Sequence, residues 1–514
     1  MRTKNSMLSI FATILLFGTK VIFNFIGKTI LIFYMGDSYN GLSSLFTNII
    51  SMLSIAELGI GSAIIYNLYK PISEHDVNTI KTIMHFYKRC YYIIAIIVLI
   101  IGLGLLKFIP MLIGEIDISD NIYFLYLLFL LDAFFSYILS YKRSILYADQ
   151  RSYIISYFDI SYYAFLNIGQ ILIIFLSRNY LLYLVYMIIC RLFENLIINQ
   201  YVNKKYIYLT EKVEEALDIK IKNDIIKKVK GLLFHQIGNY IVLGTDNIII
   251  SKLLGIIYVG FYSNYSIVLN PISNIISQII SSTTASVGNL LLEKNVDKNY
   301  SVYRKISLIC FWLYSCSGIC IFFLIQDFIR LWLGDKYLFS NFVLIVLVLN
   351  FYFQGMRSGI GVFKTASGIY YEDRYVPIAE SLINIVVSII LVKKIGISGV
   401  FIGTIVSSMP LFFYSFPFLV YEPIFKRRIR NYFFEQIKYL LIFIIILMLL
   451  SILNFYFNNN LNIDSEITYF LIKFACVIII SNTLLVMVFY KNNDFKEIIY
   501  KIKNIVSIIR ERKI

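Results

Sequence analysis

Fourteen apolar runs, most of them long enough to cross a bilayer as a helix, follow one another along the 514 residues. A hydrocarbon core of about 30 Å takes roughly 20 mostly apolar residues at helical rise. The runs cover residues 7–34, 41–69, 90–113, 121–147, 152–177, 179–202, 231–252, 259–292, 306–326, 338–364, 375–395, 397–421, 433–457 and 467–490. Charged residues make up 15% of the chain, against about 25% in soluble domains. The expected fold is therefore an all-α polytopic membrane protein with about fourteen transmembrane helices.

Lysine and arginine near helix ends stay on the cytoplasmic side, whereas acids carry little weight. With the N-terminus inside, the cytoplasmic connections and the helix ends beside them hold 35 of the 47 basic residues. The outer connections and the helix ends beside them hold six: Arg178, Lys252, Arg330, Lys336, Lys393 and Lys394. Both termini are thus expected in the cytoplasm. The net charge of +16 is spread over many loops, which argues against a nucleic-acid surface. The first run shows no cleavage site and is expected to be retained.

The chain repeats itself. "MGDSYNGLSS" at 35–44 is echoed by "LGIIYVGFYS" at 254–263, so Gly36 and Gly41 correspond to Gly255 and Gly260. Each pair ends an outward-running span, and "FYKRC" at 86–90 and "VYRKI" at 302–306 extend the echo. A parallel repeat of six helices implies a pseudo-two-fold axis along the membrane normal, as in transporters that rock two bundles around a central site. The expected organisation is a six-helix bundle over 1–203, a basic cytoplasmic linker over 204–230, and a second six-helix bundle over 231–424. Helices 13 and 14 then occupy 425–490, and a basic cytoplasmic tail 491–514.

Three stretches carry a resemblance: "GDSYNGLSSLF" (36–46), "AELGIGSAIIYNLYKPI" (56–72) and "FKTASGIYYEDRYVPIAESLINIVVSIILVKKIGISGVFIGTIVS" (363–407). The sequence resembles the polysaccharide-export family of the MOP superfamily, the Wzx-type lipid-linked oligosaccharide flippases, over nearly its whole length. The resemblance implies movement of undecaprenyl-pyrophosphate-linked repeat units from the cytoplasmic to the outer leaflet, for capsule, O-antigen or exopolysaccharide assembly. It also implies alternating access about a cavity between two bundles in the bacterial cytoplasmic membrane. Polysaccharide polymerase and initiating glycosyltransferases are the partners it suggests.

Charges inside a bilayer usually face a bundle interior or a wet cavity. Lys20, Asn24 and Lys28 form one helical stripe, with Lys28 about 12 Å outward of Lys20. The two lysines either meet a substrate diphosphate or are neutralised by acids on neighbouring helices. In the repeat-related seventh run, His235, Asn239 and Asp246 lie within about 40° of one another. Arg357 and Lys364, with Gln354, form the remaining basic cavity stripe. Arg191 and Glu194 are three residues apart and are expected to pair. Glu57, Asp132, Asp159, Asp246 and Glu380 are candidates either for ion coupling or for charge pairing.

Other motifs point away from chemistry. "GKT" at 27–29 lacks the first glycine of a phosphate-binding loop, since position 22 is Ile22. The six cysteines follow no zinc or disulfide spacing and the three histidines no metal cluster, so neither metal nor cofactor is expected. The basic "FKRRIR" at 425–430 and the tail suit anionic headgroups. An ion-coupled exporter of small organic cations is the alternative function. A membrane-embedded polysaccharide polymerase is disfavoured, because the connections carry no acid/base constellation.

Overall fold

Hydrocarbon offers no partner to backbone N–H and C=O groups, and an α-helix satisfies them within one segment. All regular structure among the described residues is helical. The computed structural model describes residues 2–53, 57, 60–113, 118–211, 217–369, 372–460 and 465–511.

Two units emerge, Met1–Ser263 and Asn264–Ile514. The first holds α1 (Arg2–Met35), α2 (Asp37–Leu53), α3 (Ile60–Glu74), α4 (Val77–Leu105), α5 (Ile109–Ile113), α6 (Ile122–Tyr137), α7 (Arg143–Ala148), α8 (Ser152–Ser177), α9 (Tyr180–Lys205), α10 (Ile219–Leu254) and the start of α11 (Ile256–Ser281). The second contains the rest of α11, then α12 (Thr284–Leu292), α13 (Val296–Leu333), α14 (Asn341–Ser367), α15 (Val376–Ile395), α16 (Ser398–Ser407), α17 (Glu422–Phe425), α18 (Ile429–Asn460), α19 (Glu466–Phe489) and α20 (Asn493–Glu511).

Twelve helical segments among the described residues are long and apolar enough to cross a membrane. The expected second run takes in α2 and α3, of 17 and 15 residues, and its residues 54–56, 58 and 59 lie outside the described residues. The expected seventh lies in α10, whose 36 residues begin with the lysine-rich "IKIKNDIIKKVK". Sequence repetition groups α10 with the second bundle; among the described residues it packs against α2, α3 and α5 of the first unit. A Cβ on Gly244 would stand 2.2 Å from the Met52 side chain, and Ser251 Oγ donates to the Leu112 carbonyl at 2.6 Å.

Within the first unit α1 and α8 run side by side in the same direction. Ser9 meets Ser152, Lys20 meets Tyr163, and Gly27 meets Asn167. The repeated glycines also come together. Gly36 and Gly255, at φ +89° and +104°, each break one helix from the next in the left-handed region. Gly41 and Gly260 then let the starts of α2 and α11 approach until a Cβ on Gly41 would sit 2.2 Å from the Ile256 carbonyl oxygen. Asn40 Nδ2 donates to the Gly260 carbonyl at 3.3 Å across this crossing.

In the second unit α13 is the central helix, flanked by α14 and α19. Aromatic stacking fills the space around it: Phe311 on Tyr439 at 4.6 Å and Tyr352 on Phe443 at 4.5 Å. Helices α15 and α16 form a close hairpin, secured by Asn384 Nδ2 donating to Thr404 Oγ1 at 3.1 Å. Residues Leu411–Tyr421 form a π-helical stretch with Pro417 inside it. Proline has no N–H to close an α-helical turn there.

Candidate functional site

The principal site lies in the first unit and begins with a helix break. Helix α6 ends at Tyr137, Ile138 is extended, and Leu139 is left-handed at φ 69°. The break frees backbone carbonyls, and Asn195 of α9 satisfies two of them, donating to Phe135 O at 2.8 Å and Ile138 O at 3.0 Å. The redirected chain forms α7, whose first residue is Arg143.

Arg143 and Arg191 share a carboxylate. Arg143 contacts Asp159 at 2.9 Å and Glu194 at 2.8 Å. Arg191 contacts Asp132 at 3.3 Å and the second oxygen of Glu194 at 3.3 Å. Its guanidinium also lies 4.7 Å from the Tyr162 ring centroid. Three carboxylates thus hold two guanidiniums across α6, α7, α8 and α9. Such a network orients its members when every charge is partnered, and leaves a costly orphan when one is removed.

A cavity of about 500 Å³ opens beside this network. Helix α4 supplies Tyr87 and Tyr91, α3 Gly61 and Ile65, and α9 Arg191 and Asn195. From the α6–α7 break come Ser136, Tyr137, Ser140, Arg143, Ser144 and Tyr147. Glu57, between α2 and α3, completes the wall, and its carboxylate accepts the Tyr91 hydroxyl. Tyr87 and Tyr91 meet edge to face at 4.5 Å.

A second polar network occupies the other unit. Arg357 donates to Gln354 Oε1 at 2.7 Å and pairs with Glu380 at 3.0 Å. Lys364 pairs with Asp373, which also accepts Ser415 Oγ at 3.0 Å. Gln354 in turn donates to Ser408 at 3.1 Å. Two cations and two carboxylates balance, so the network braces α14 against α15, the segment before it and the π-helical stretch.

The sequence-derived candidates therefore separate. Glu57 lines the cavity, Asp132 and Asp159 stand behind its arginines, and Glu380 is the partner of Arg357. Lys20 Nζ lies 4.6 Å above the Tyr163 ring, and Lys28 donates to Ser263 Oγ at 2.5 Å. Among the described residues neither lysine pairs with a carboxylate. Asn24 is exposed. Asp246 is buried in α10, while the side chains of His235 and Asn239 in that helix lie outside the described residues. Sequence reasoning missed Arg143, Tyr87, Tyr91, Tyr147 and Asn195. The available signal was "SYKRS" at 140–144, a polar interruption near the end of the fourth run.

No family model and no curated protein matches the sequence. The fold is similar to that of the lipid II flippase MurJ in an inward closed conformation, with TM-score 0.62 and 17% identity over 94% of this chain and 99% of that one. An inward-facing multidrug resistance MATE family transporter of the MOP superfamily is similar at TM-score 0.56 and 15% identity, covering 76% of this chain and 91% of that one. A mutant of the Vibrio cholerae MATE transporter VcmN gives 0.54 and 15%, over 79% and 94%. These likenesses show that the chain shares the fold of these transporters, in keeping with a multi-pass membrane protein whose described residues include twelve long apolar helical segments.

Proposed function

We propose that the chain is a Wzx-type flippase, moving undecaprenyl-pyrophosphate-linked oligosaccharide from the cytoplasmic to the outer leaflet of a bacterial cytoplasmic membrane. The observation that carries this reading is the extent of the fold likeness. It takes in 94% of the chain with a lipid II flippase, against 76% and 79% with the MATE transporters. Lys20 adds support. It sits inside a span with an aromatic face beside it and no carboxylate partner among the described residues, a setting that leaves a cation available to a diphosphate. Surface-polymer polymerase and the initiating glycosyltransferases would act after and before it.

The test is the leaflet location of the lipid-linked oligosaccharide in cells without the protein and in complemented cells. Accumulation on the cytoplasmic face, relieved by the intact chain but not by Lys20→Ala at equal abundance, is the expected result. Normal outward delivery in cells lacking this and any redundant flippase overturns the proposal.

The MATE likeness favours a second reading, an ion-coupled exporter of small organic cations, with the three-carboxylate network as its coupling site. Drug resistance on expression without any change in surface polymer would select it.

A further inference from the structure

The cavity of the first unit is too large to be explained by the ion pairs along its wall. A bound calcium ion takes six to eight oxygens at about 2.3–2.6 Å, whereas this space is about 500 Å³, within the range of organic-ligand sites. Both guanidiniums at the wall are already engaged by Asp132, Asp159 and Glu194, so a bare diphosphate meets no free positive charge there. Hydroxyl, amide and carboxylate groups along the wall disfavour an apolar drug.

Each remaining feature suits an uncharged ring bearing many hydroxyls. The exposed Tyr147 and the buried Tyr87 and Tyr91 line the space, and an aromatic ring with a hydroxyl tip matches the C–H face and the hydroxyl rim of a pyranose. Glu57 and the hydroxyls of Ser136, Ser140 and Ser144 line the same wall, acceptors and donors suited to the hydroxyls of a sugar. The lining also belongs to the half of the unit nearest the connections predicted to be cytoplasmic. Tyr147 closes α7 just before the basic Arg151 turn, and Tyr87 lies three turns into α4.

We propose that this cavity is a glycan subsite, taking on the order of one or two neutral sugar rings of a lipid-linked substrate loaded from the cytoplasmic leaflet. The inference rests on the flippase reading and adds where the sugar is held. On this arrangement Lys20 serves the diphosphate and the α4–α6–α7–α9 cavity reads the glycan. Selectivity among sugars then resides in the first unit.

The full chain in nanodiscs is titrated with two probes: undecaprenyl pyrophosphate, and the undecaprenyl-pyrophosphate repeat unit extracted from cells lacking the protein. Three variants accompany the wild type. Ser136→Phe fills the cavity, Tyr147→Ala removes a ring that is 44% exposed, and Tyr147→Phe keeps the ring; thermal unfolding confirms that each is folded. The wild type is expected to prefer the glycan-bearing lipid at least tenfold. Ser136→Phe and Tyr147→Ala should bring that preference near parity with binding of the bare lipid unchanged, while Tyr147→Phe retains most of it. Undiminished preference in both Ser136→Phe and Tyr147→Ala overturns the subsite and leaves the flippase reading standing. Wild-type protein that binds neither lipid overturns both.

Discussion

Arg191 shows what a single residue contributes and how much of that role its sequence neighbours reveal. Its pairing with Glu194 is legible from a spacing of three on a helix, and the structure places them 3.3 Å apart. Its second partner, Asp132, is 59 residues away and became a neighbour only when α6 and α9 packed together. Replacing Arg191 with Ala leaves Asp132 and half of Glu194 without a counter-charge. The expected loss is about 3 kcal/mol, read as a lower unfolding temperature in detergent. Arg191→Lys retains the charge but not the fork that reaches two carboxylates, so it should recover only part of that loss. At Lys20 the sequence left two readings open, substrate contact or an acidic neighbour. The structure places a tyrosine ring of α8 beside Lys20 and no carboxylate among the described residues, because Lys20 lies against α8, whose pairing with α1 no local pattern encodes.

At the scale of elements, helix starts and breaks follow rules readable along the chain. Asp76 precedes α4, and its side chain accepts the Thr79 N–H at 3.0 Å. Hydrogen bonds from Thr79, side chain first and backbone second, hold the Asp76 carboxyl below its ordinary value. That contribution is present above the unfolded carboxyl pKa and is lost as pH falls through the depressed folded value. Asp76→Ala should cost about 1 kcal/mol at neutral pH, and the difference from wild type should shrink in acid, as unfolding measured from pH 7 down to 3 would show. The glycine repeat marked two helix breaks correctly, since only φ above zero suits those turns. It did not reveal that the second glycine of each pair meets the other. Gly41→Val would drive a side chain into the Ile256 carbonyl and should destabilise the protein by about 2 kcal/mol. Gly18→Val, where a Cβ meets nothing within 4 Å, is the matching control.

For the whole molecule, membrane solvent made much of the architecture legible in advance. Long apolar runs in a chain with few charges leave helices as the economical way to satisfy the backbone, and twelve such segments are present among the described residues. The basic-residue bias predicts that cysteines placed at Ser6 and at Asn493 are both shielded from a membrane-impermeant thiol reagent in intact cells and both labelled in inverted vesicles. Opposite labelling of the two would refute that orientation. Composition, periodicity and charge bias thus determined a helical, many-spanning fold and an expected orientation, since each depends on local transfer free energy summed along the chain. Tertiary structure alone decided where α10 packs, which carboxylate neutralises which arginine, and that a polar cavity opens between α4, α6, α7 and α9. Those features depend on side chains far apart in sequence approaching within a few ångströms. Helical periodicity shows that a residue faces inward without showing what it will meet there.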